Sequence, residues 1–225
     1  MGMQMWRRMP HQWIEHGGLR SFSWRDGAGA DNAAALMLLA ALIHQADADT
    51  GCTRLTYDQW QHMTGLSRAK VARGLSILSD REIINRTNPN RSEVQLANFD
   101  APSWAKFPAR PLYNPRGEIV FFHKLTLRGR VQLDLLKLWF LFCSRRNRNT
   151  NEVDITYDTI EYYSGIDRPR IADAISLGLH YQLIVVEKSF DIFTERASSS
   201  YRVRYIEPYK HAGTMPRAEV KDIPF

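Results

Sequence analysis

Residues 19–84 of this 225-residue chain align without a gap to the residues 100 positions further on. Thirteen of the 66 aligned positions are identical, among them Phe22/Phe122, Leu36/Leu136, Gly65/Gly165, Arg68/Arg168 and Ile84/Ile184. Ordinary residue frequencies would give about 4. The densest stretch sets LTYDQWQHMTGLSRAKVARGLSIL over ITYDTIEYYSGIDRPRIADAISLG, with conservative pairs such as Leu66/Ile166 and Val71/Ile171 at apolar positions. The chain therefore reads as two copies of one small domain, each of a size that can bury its own core.

Both copies read alike. An extended segment, 19–24 or 119–125, precedes a helix of about fifteen residues, Asp31 to Gln45 or Arg130 to Arg145. Thr56 or Thr156 then caps a short helix with Asp58 or Asp158 in its first turn, which suits the positive end of the helix dipole. Gly65 or Gly165 ends it, glycine being the residue that accepts positive φ there. Ser67 or Asp167 caps a third helix with an apolar stripe at helical spacing, Val71, Leu75 and Leu78 or Ile171, Ile175 and Leu179. A β-hairpin closes each copy: Ile83-Ile84 with Val94 to Leu96, and Leu183 to Val186 with Tyr201 to Tyr205.

Helix, glycine turn, capped helix and hairpin in this order describe a winged helix-turn-helix. The expected fold class is α+β, mostly helical, with two tandem winged-helix domains. The segment MTGLSRAKVARGLSILSDREII resembles the signature of the bacterial winged-helix family that includes MarR-type and GntR-type regulators and the modules of phage and plasmid replication proteins. The likeness covers about 65 residues per copy, and its motif speaks to fold more than to role. Glu82 and Gln182 stand where the family has glycine before the wing strand, and Gly178 replaces an apolar core residue.

The resemblance implies a third helix in the major groove of double-stranded DNA. With Val71, Leu75 and Leu78 buried, Arg68, Lys70 and Arg73 fall on the open side beside the Ser67 cap. The second copy offers Arg168 and Arg170, with Pro169 in the first turn and Asp173 disfavouring phosphate. In the first wing Arg86 and Arg91 flank a polar tip; the second wing is longer and carries Asp191 and Glu195, less suited to phosphate. Two modules in one chain amount to a built-in dimer for half-sites about one helical turn apart.

Charge is uneven. The formal net charge of +6 conceals a central stretch, 101–150, with 10 basic and 2 acidic residues, while 151–225 holds 9 and 12. Arg128 and Arg130 begin the helix of the second copy, and Arg145, Arg146 and Arg148 follow its end. These cations either track a phosphate backbone or form a solvated face that complements the helix dipole.

Residues 1–18, with Trp6 and Trp13, are too aromatic for a free tail and read as a packing extension or an oligomer contact. Domain 1 spans 19–100, a Pro-rich basic linker 101–117, domain 2 118–209 and a tail 210–225. Prolines at 102, 108, 111 and 115 favour a semi-rigid connection, which Trp104, Phe107 and Tyr113 pack onto a domain. A homodimer or a protein partner would use domain 2 or the N-terminal extension.

No pattern of enzyme chemistry stands out. His11 and His16 in HQWIEH are five apart, off the spacing of a zinc hydrolase helix; GAGADNAA lacks the Lys-Ser/Thr pair of a phosphate loop; no GxSxG occurs; and Tyr57 and Tyr157 repeat at a helix start as packing residues. No cofactor or metal is expected. Two cysteines, Cys52 and Cys143, make no disulfide framework, and the longest apolar run, Ala33 to Ile43, is far short of the roughly 20 residues needed to cross a bilayer. With no signal peptide pattern, the expected location is cytoplasmic, in a bacterial nucleoid or on a plasmid. The function expected is sequence-specific double-stranded DNA binding, as a transcriptional regulator or a replication initiator of a mobile element. The competing expectation is a non-enzymatic adaptor or structural subunit whose winged helices make protein contacts.

Overall fold

A computed structural model describes residues 3–86, 93–191 and 196–206. It is an α+β structure, mostly helical, with three small antiparallel sheets among the described residues. Its centre is α2 (Gly29–Gln45), whose residues Ala33 to His44 are all buried. A helix apolar on every side needs neighbours all around, and α2 finds them in α4 (Arg68–Asp80), in α3 (Tyr57–Thr64) and in α5 (Arg130–Arg145), the helix that centres the other half. The alanines of α2 let α4 come close: a Cβ placed on Gly74 would lie 2.6 Å from Leu38 Cδ1 and 3.2 Å from the Ala35 backbone.

The first half continues from α2 through β2 (Cys52–Arg54), α3, α4, β3 (Ile84–Asn85) and β4 (Glu93–Leu96). The second runs from α5 through β6 (Glu152–Val153), α6 (Tyr157–Ser164), α7 (Arg168–His180), β7 (Ile184–Asp191) and β8 (Arg196–Val203). Strand order is β2-β4-β3 in one sheet and β6-β8-β7 in the other. Thr56 accepts from the Gln59 amide while Gln59 answers at the Thr56 amide, a complete capping box. Thr156 caps α6 by accepting from the Thr159 amide, and Gly65 and Gly165 end α3 and α6 with φ of 72° and 64°.

Several local expectations are corrected. Residues 19–24 and 119–125 form short 3₁₀ turns at Gly18–Ser21 and Phe122–Lys124 instead of extended segments. Asp167 makes no side-chain cap; its carboxylate goes to Arg170. Leu179 is 41% exposed and Gly178 takes the buried place, against Ile184 and Leu135. The second hairpin is a longer strand pair than expected, since β7 runs to Asp191 and β8 begins at Arg196. Arg91 and the tail 210–225 lie outside the described residues.

The aromatic N-terminus and the proline-rich segment are partners. Strand β1 (Trp6–Pro10), followed by the short helix α1 (Gln12–Glu15), pairs antiparallel with β5 (Trp104–Pro108), and within the ladder Arg7 opposes Phe107. Phe107 is fully buried against Trp139 and Phe140 of α5, so the segment between the halves is core rather than spacer. His44 of α2 fixes it further, donating from Nε2 to the Pro108 carbonyl at 2.8 Å and accepting at Nδ1 from the Tyr113 hydroxyl at 2.9 Å. Burial lowers the His44 pKa to about 3 and raises that of Tyr113, so both remain neutral. The buried apolar side chains of both halves make one continuous cluster.

The leading segments cross over. The turn at Phe122–Lys124 sits on α3, where His123 Nε2 donates to the His62 carbonyl at 3.1 Å and the Ile119 amide to that of Met63 at 2.9 Å. The turn at Gly18–Ser21 sits on α6, where Arg20 donates to the Tyr162 carbonyl at 3.2 Å. Each half therefore supplies the piece that braces the other's helix turn.

Candidate nucleic-acid interface

In the first half the turn from Gly65 to Ser67 sets the start of α4. Leu66 is buried and anchors the turn, and the Ser67 hydroxyl accepts from the Lys70 amide at 3.4 Å. Arg68, at the first helical position, has a side chain 68% exposed; it lies 4.7 Å over the Tyr57 ring and 3.9 Å from Asp58. Arg73 is also largely exposed, with Nε 3.3 Å from Asp31 Oδ1. Lys70 differs from the open position expected of it: its side chain is only 26% exposed and Nζ donates to Asp31 at 2.7 Å. A solvated pair such as Arg68–Asp58 is worth about 0–1 kcal/mol, so the Arg68 guanidinium can leave its aspartate at little cost. Lys70 instead ties α4 to the start of α2.

The second half repeats the arginine at the start of its third helix. Arg168 pairs with Asp158 and lies 5.9 Å over the Tyr157 ring. Arg170 points inward: Nε donates to Asp134 at 3.0 Å, and the guanidinium also meets Asp167, which lies 3.9 Å from Arg130. Asp134 is buried on α5, and desolvation raises its pKa while Arg170 pulls it back. Lys137, one turn further, is buried too, and desolvation lowers its pKa to about 8. Asp173 is exposed on α7. Arg168 is thus the outward cation at the start of this helix, and Arg170 and Arg130 belong to a charge network that joins α7 to α5.

The other basic candidates are scattered. Arg128 is exposed on the segment that lines, through Thr126 and Leu127, a cavity of about 400 Å³ shared with Ser67 and Lys70. Arg86 is half-buried after β3. Arg145, Arg146 and Arg148 lie at the far end of α5: Arg145 covers the Tyr163 ring at 3.9 Å, Arg148 is exposed, and Arg146 is buried, donating to the Asn147 carbonyl at 3.2 Å. They are about 18 Å along the helix from Asp134 and do not join the start of α7.

Two cations at the helix turns carry no signal in the sequence. Lys124 is exposed beside the first turn, and Arg20 is exposed beside the second. Both belong to crossed segments, and no local pattern marks them. Among the described residues no cluster of His, Cys, Asp and Glu is arranged to hold a metal, and no helix is long and apolar enough to cross a membrane. No family model, curated protein or solved structure matches the chain.

Proposed function

We propose that the chain is a double-stranded DNA-binding protein built from two winged-helix modules, with α4 and α7 as the helices that enter successive major grooves. The observation that carries this reading is the pair of capped helix-turn-helix units, each opening its third helix with an exposed arginine over a tyrosine, Arg68 over Tyr57 and Arg168 over Tyr157. The order helix, strand, helix, helix, strand, strand in both halves, with the last strand central in each sheet, is the order a winged helix requires. Packing of α2 on α5 joins the two units into one body, as a dimer of repressors would be joined.

Arg68 and Arg73, with Arg128 and Lys124 beside them, supply phosphate neutralisation and base contact; Arg168 and Arg20 serve the second unit. The protein acts by occupancy, as a transcriptional regulator or a replication initiator of a bacterial mobile element. Selection of bound duplexes from a random library, followed by anisotropy titration at two salt concentrations, tests it. Salt-dependent binding to a recurrent motif is expected, and its absence refutes the proposal. Direct repeats of the motif near an origin favour initiation, and a promoter palindrome favours regulation.

A second reading has its own observation. Asp173 is exposed on α7, where it disfavours phosphate, and Tyr162 on the neighbouring α6 is 65% exposed. That combination suits an adaptor whose second unit meets protein. A pull-down yielding one stoichiometric partner, with no duplex affinity at low salt, would select this reading.

A further inference from the structure

We propose that the outer face of the β1–β5 ribbon, with the basic cleft beside it, is a binding site for single-stranded nucleic acid. Alternate residues of a strand share a face, and in this ribbon Trp6 and Arg8 of β1 lie on the same face as Trp104 and Lys106 of β5. Met9, Ala105 and Phe107 occupy the opposite face and are buried. The four outer residues are half-buried. Trp6 and Trp104 stack with centroids 5.7 Å apart and planes 15° from parallel. Lys106 stands 5.0 Å from the Trp6 ring, and Arg8 lies 5.9 Å from Trp104 and 5.0 Å from Phe99.

Trp104 forms a shared wall between two clefts. On one side a cavity of about 220 Å³ is lined by His11, Lys106, Arg146 and Arg148 together with Cys143 and Ser144. On the other a cavity of about 200 Å³ is lined by Trp6, Arg7, Arg8 and Phe99. Neither lining includes an acidic side chain; Glu15 comes within 3.4 Å of the His11 ring, and Asp47 lies close enough to Arg7 to feel its charge. Desolvation lowers the His11 pKa, and its two ring nitrogens meet Ser144 Oγ at 3.0 Å and Ser103 Oγ at 2.9 Å, so at neutral pH it shapes the cleft wall without adding charge.

The chemistry selects the partner. Cations alone would suit any phosphate, but paired indoles between two basic clefts add a surface on which an unstacked base can lie while neighbouring phosphates meet Lys106, Arg148 and Arg8. Duplex DNA keeps its bases stacked inside and offers nothing to Trp104. The site is also separate from the start of α7: Arg146 is about 18 Å along α5 from Asp134, which holds the first turn of that helix.

The test uses the full chain and fluorescein-labelled oligo(dT) and oligo(rU) of about 20 nucleotides, a length that exceeds one stacking platform. Salt-dependent anisotropy change is expected, weakened about tenfold by Trp104→Ala and by Arg148→Ala, with the double variant Arg68→Ala/Arg73→Ala binding as the parent does. Arg148 is exposed, so its variant carries the test even where Trp104→Ala does not fold. Preference for one oligomer assigns the site to DNA or to RNA. Absence of binding to either, unchanged affinity in both single variants, or equal loss in the Arg68/Arg73 variant overturns the proposal. Duplex binding is read separately with the same proteins, so loss of one function without the other distinguishes this site from the winged-helix reading.

Discussion

Arg20 reaches a residue 142 positions along the chain, donating to the carbonyl of Tyr162 at 3.2 Å, and so braces the end of α6 with a segment that belongs to the other half. The equivalent brace on α3 uses a different donor, His123 on the His62 carbonyl. The two carbonyls are 100 residues apart, the interval seen in the sequence. The hydrogen bond is worth about 0.5–1.5 kcal/mol, and Arg20→Ala is expected to lower stability by that amount. Hydrogen exchange checks the location: faster exchange is expected at the α6–α7 turn, with the α3–α4 turn unchanged.

The outward and inward cations of α4 separate by experiment. Arg68→Ala and Arg73→Ala are expected to leave thermal stability within about 0.5 kcal/mol and to reduce the salt slope of duplex binding by about 0.9 for each phosphate that is no longer neutralised. Lys70→Ala behaves differently because it strands the half-buried Asp31 beside Arg73 alone. It should cost about 1–2 kcal/mol of stability. Paired melting and anisotropy measurements check both outcomes.

Folding stability should fall in mild acid because of His44. Its folded-state pKa of about 3 lies below the ordinary value of 6.5, so between those values the unfolded chain binds the proton that the folded chain refuses. Stability is full above about pH 6.5 and declines as pH drops towards 3, by up to about 1.4 kcal/mol per pH unit. Burial lowers the His11 pKa as well, and its share has the same sign. Urea titrations across this range give the slope, and His44→Phe should flatten it while lowering overall stability.

The two glycines that face the central helices leave little room for a side chain, Gly74 against backbone and Gly178 against side chains alone. Gly74→Ala would place a methyl 2.6 Å from Leu38 and close to the Ala35 backbone, and Gly178→Ala one 2.9 Å from Ile184. Gly74→Ala should lose about 1–3 kcal/mol by overpacking, despite alanine's better helix propensity, because the Ala35 backbone cannot give way; Gly178→Ala, which meets only movable side-chain ends, should lose less, as chemical denaturation would show.

Glu82 and Gln182 are strained where a glycine would not be. They hold φ of 56° and 57° at the exit of α4 and α7, a left-handed conformation that penalises a Cβ. Glu82→Gly and Gln182→Gly are expected to stabilise the fold by about 0.5–1 kcal/mol each; an unchanged or lower melting temperature would count against the strain argument.

Much of the local architecture was legible in the sequence. The Thr56 and Thr156 caps, the glycine stops, the extent of α5 and the buried stripe Val71, Leu75 and Leu78 depend on residues within one or two turns of each other, and appear where the pattern put them. The departures share a cause. Leu179 left the core because Gly178 let α7 approach Ile184, and the 3₁₀ turns replaced strands because each rests on a helix from the other half. In the candidate interface the exposed arginines at 68, 73 and 168 were readable from helical phase, whereas the inward turn of Lys70 and Arg170 depended on Asp31 and Asp134, about 36 to 39 residues away.

By itself the sequence determined the Thr56 and Thr156 caps, the glycine stops, the helix phases and the concentration of charge in the middle of the chain, since short-range hydrogen bonding and apolar periodicity decide those. Tertiary structure alone decided which charges meet solvent, that the N-terminus pairs with the proline-rich segment around Arg7 and Phe107, and that each half braces the other. Those outcomes rest on interactions between residues distant along the chain, where burial of one continuous core sets the partner and a local pattern carries no information about it.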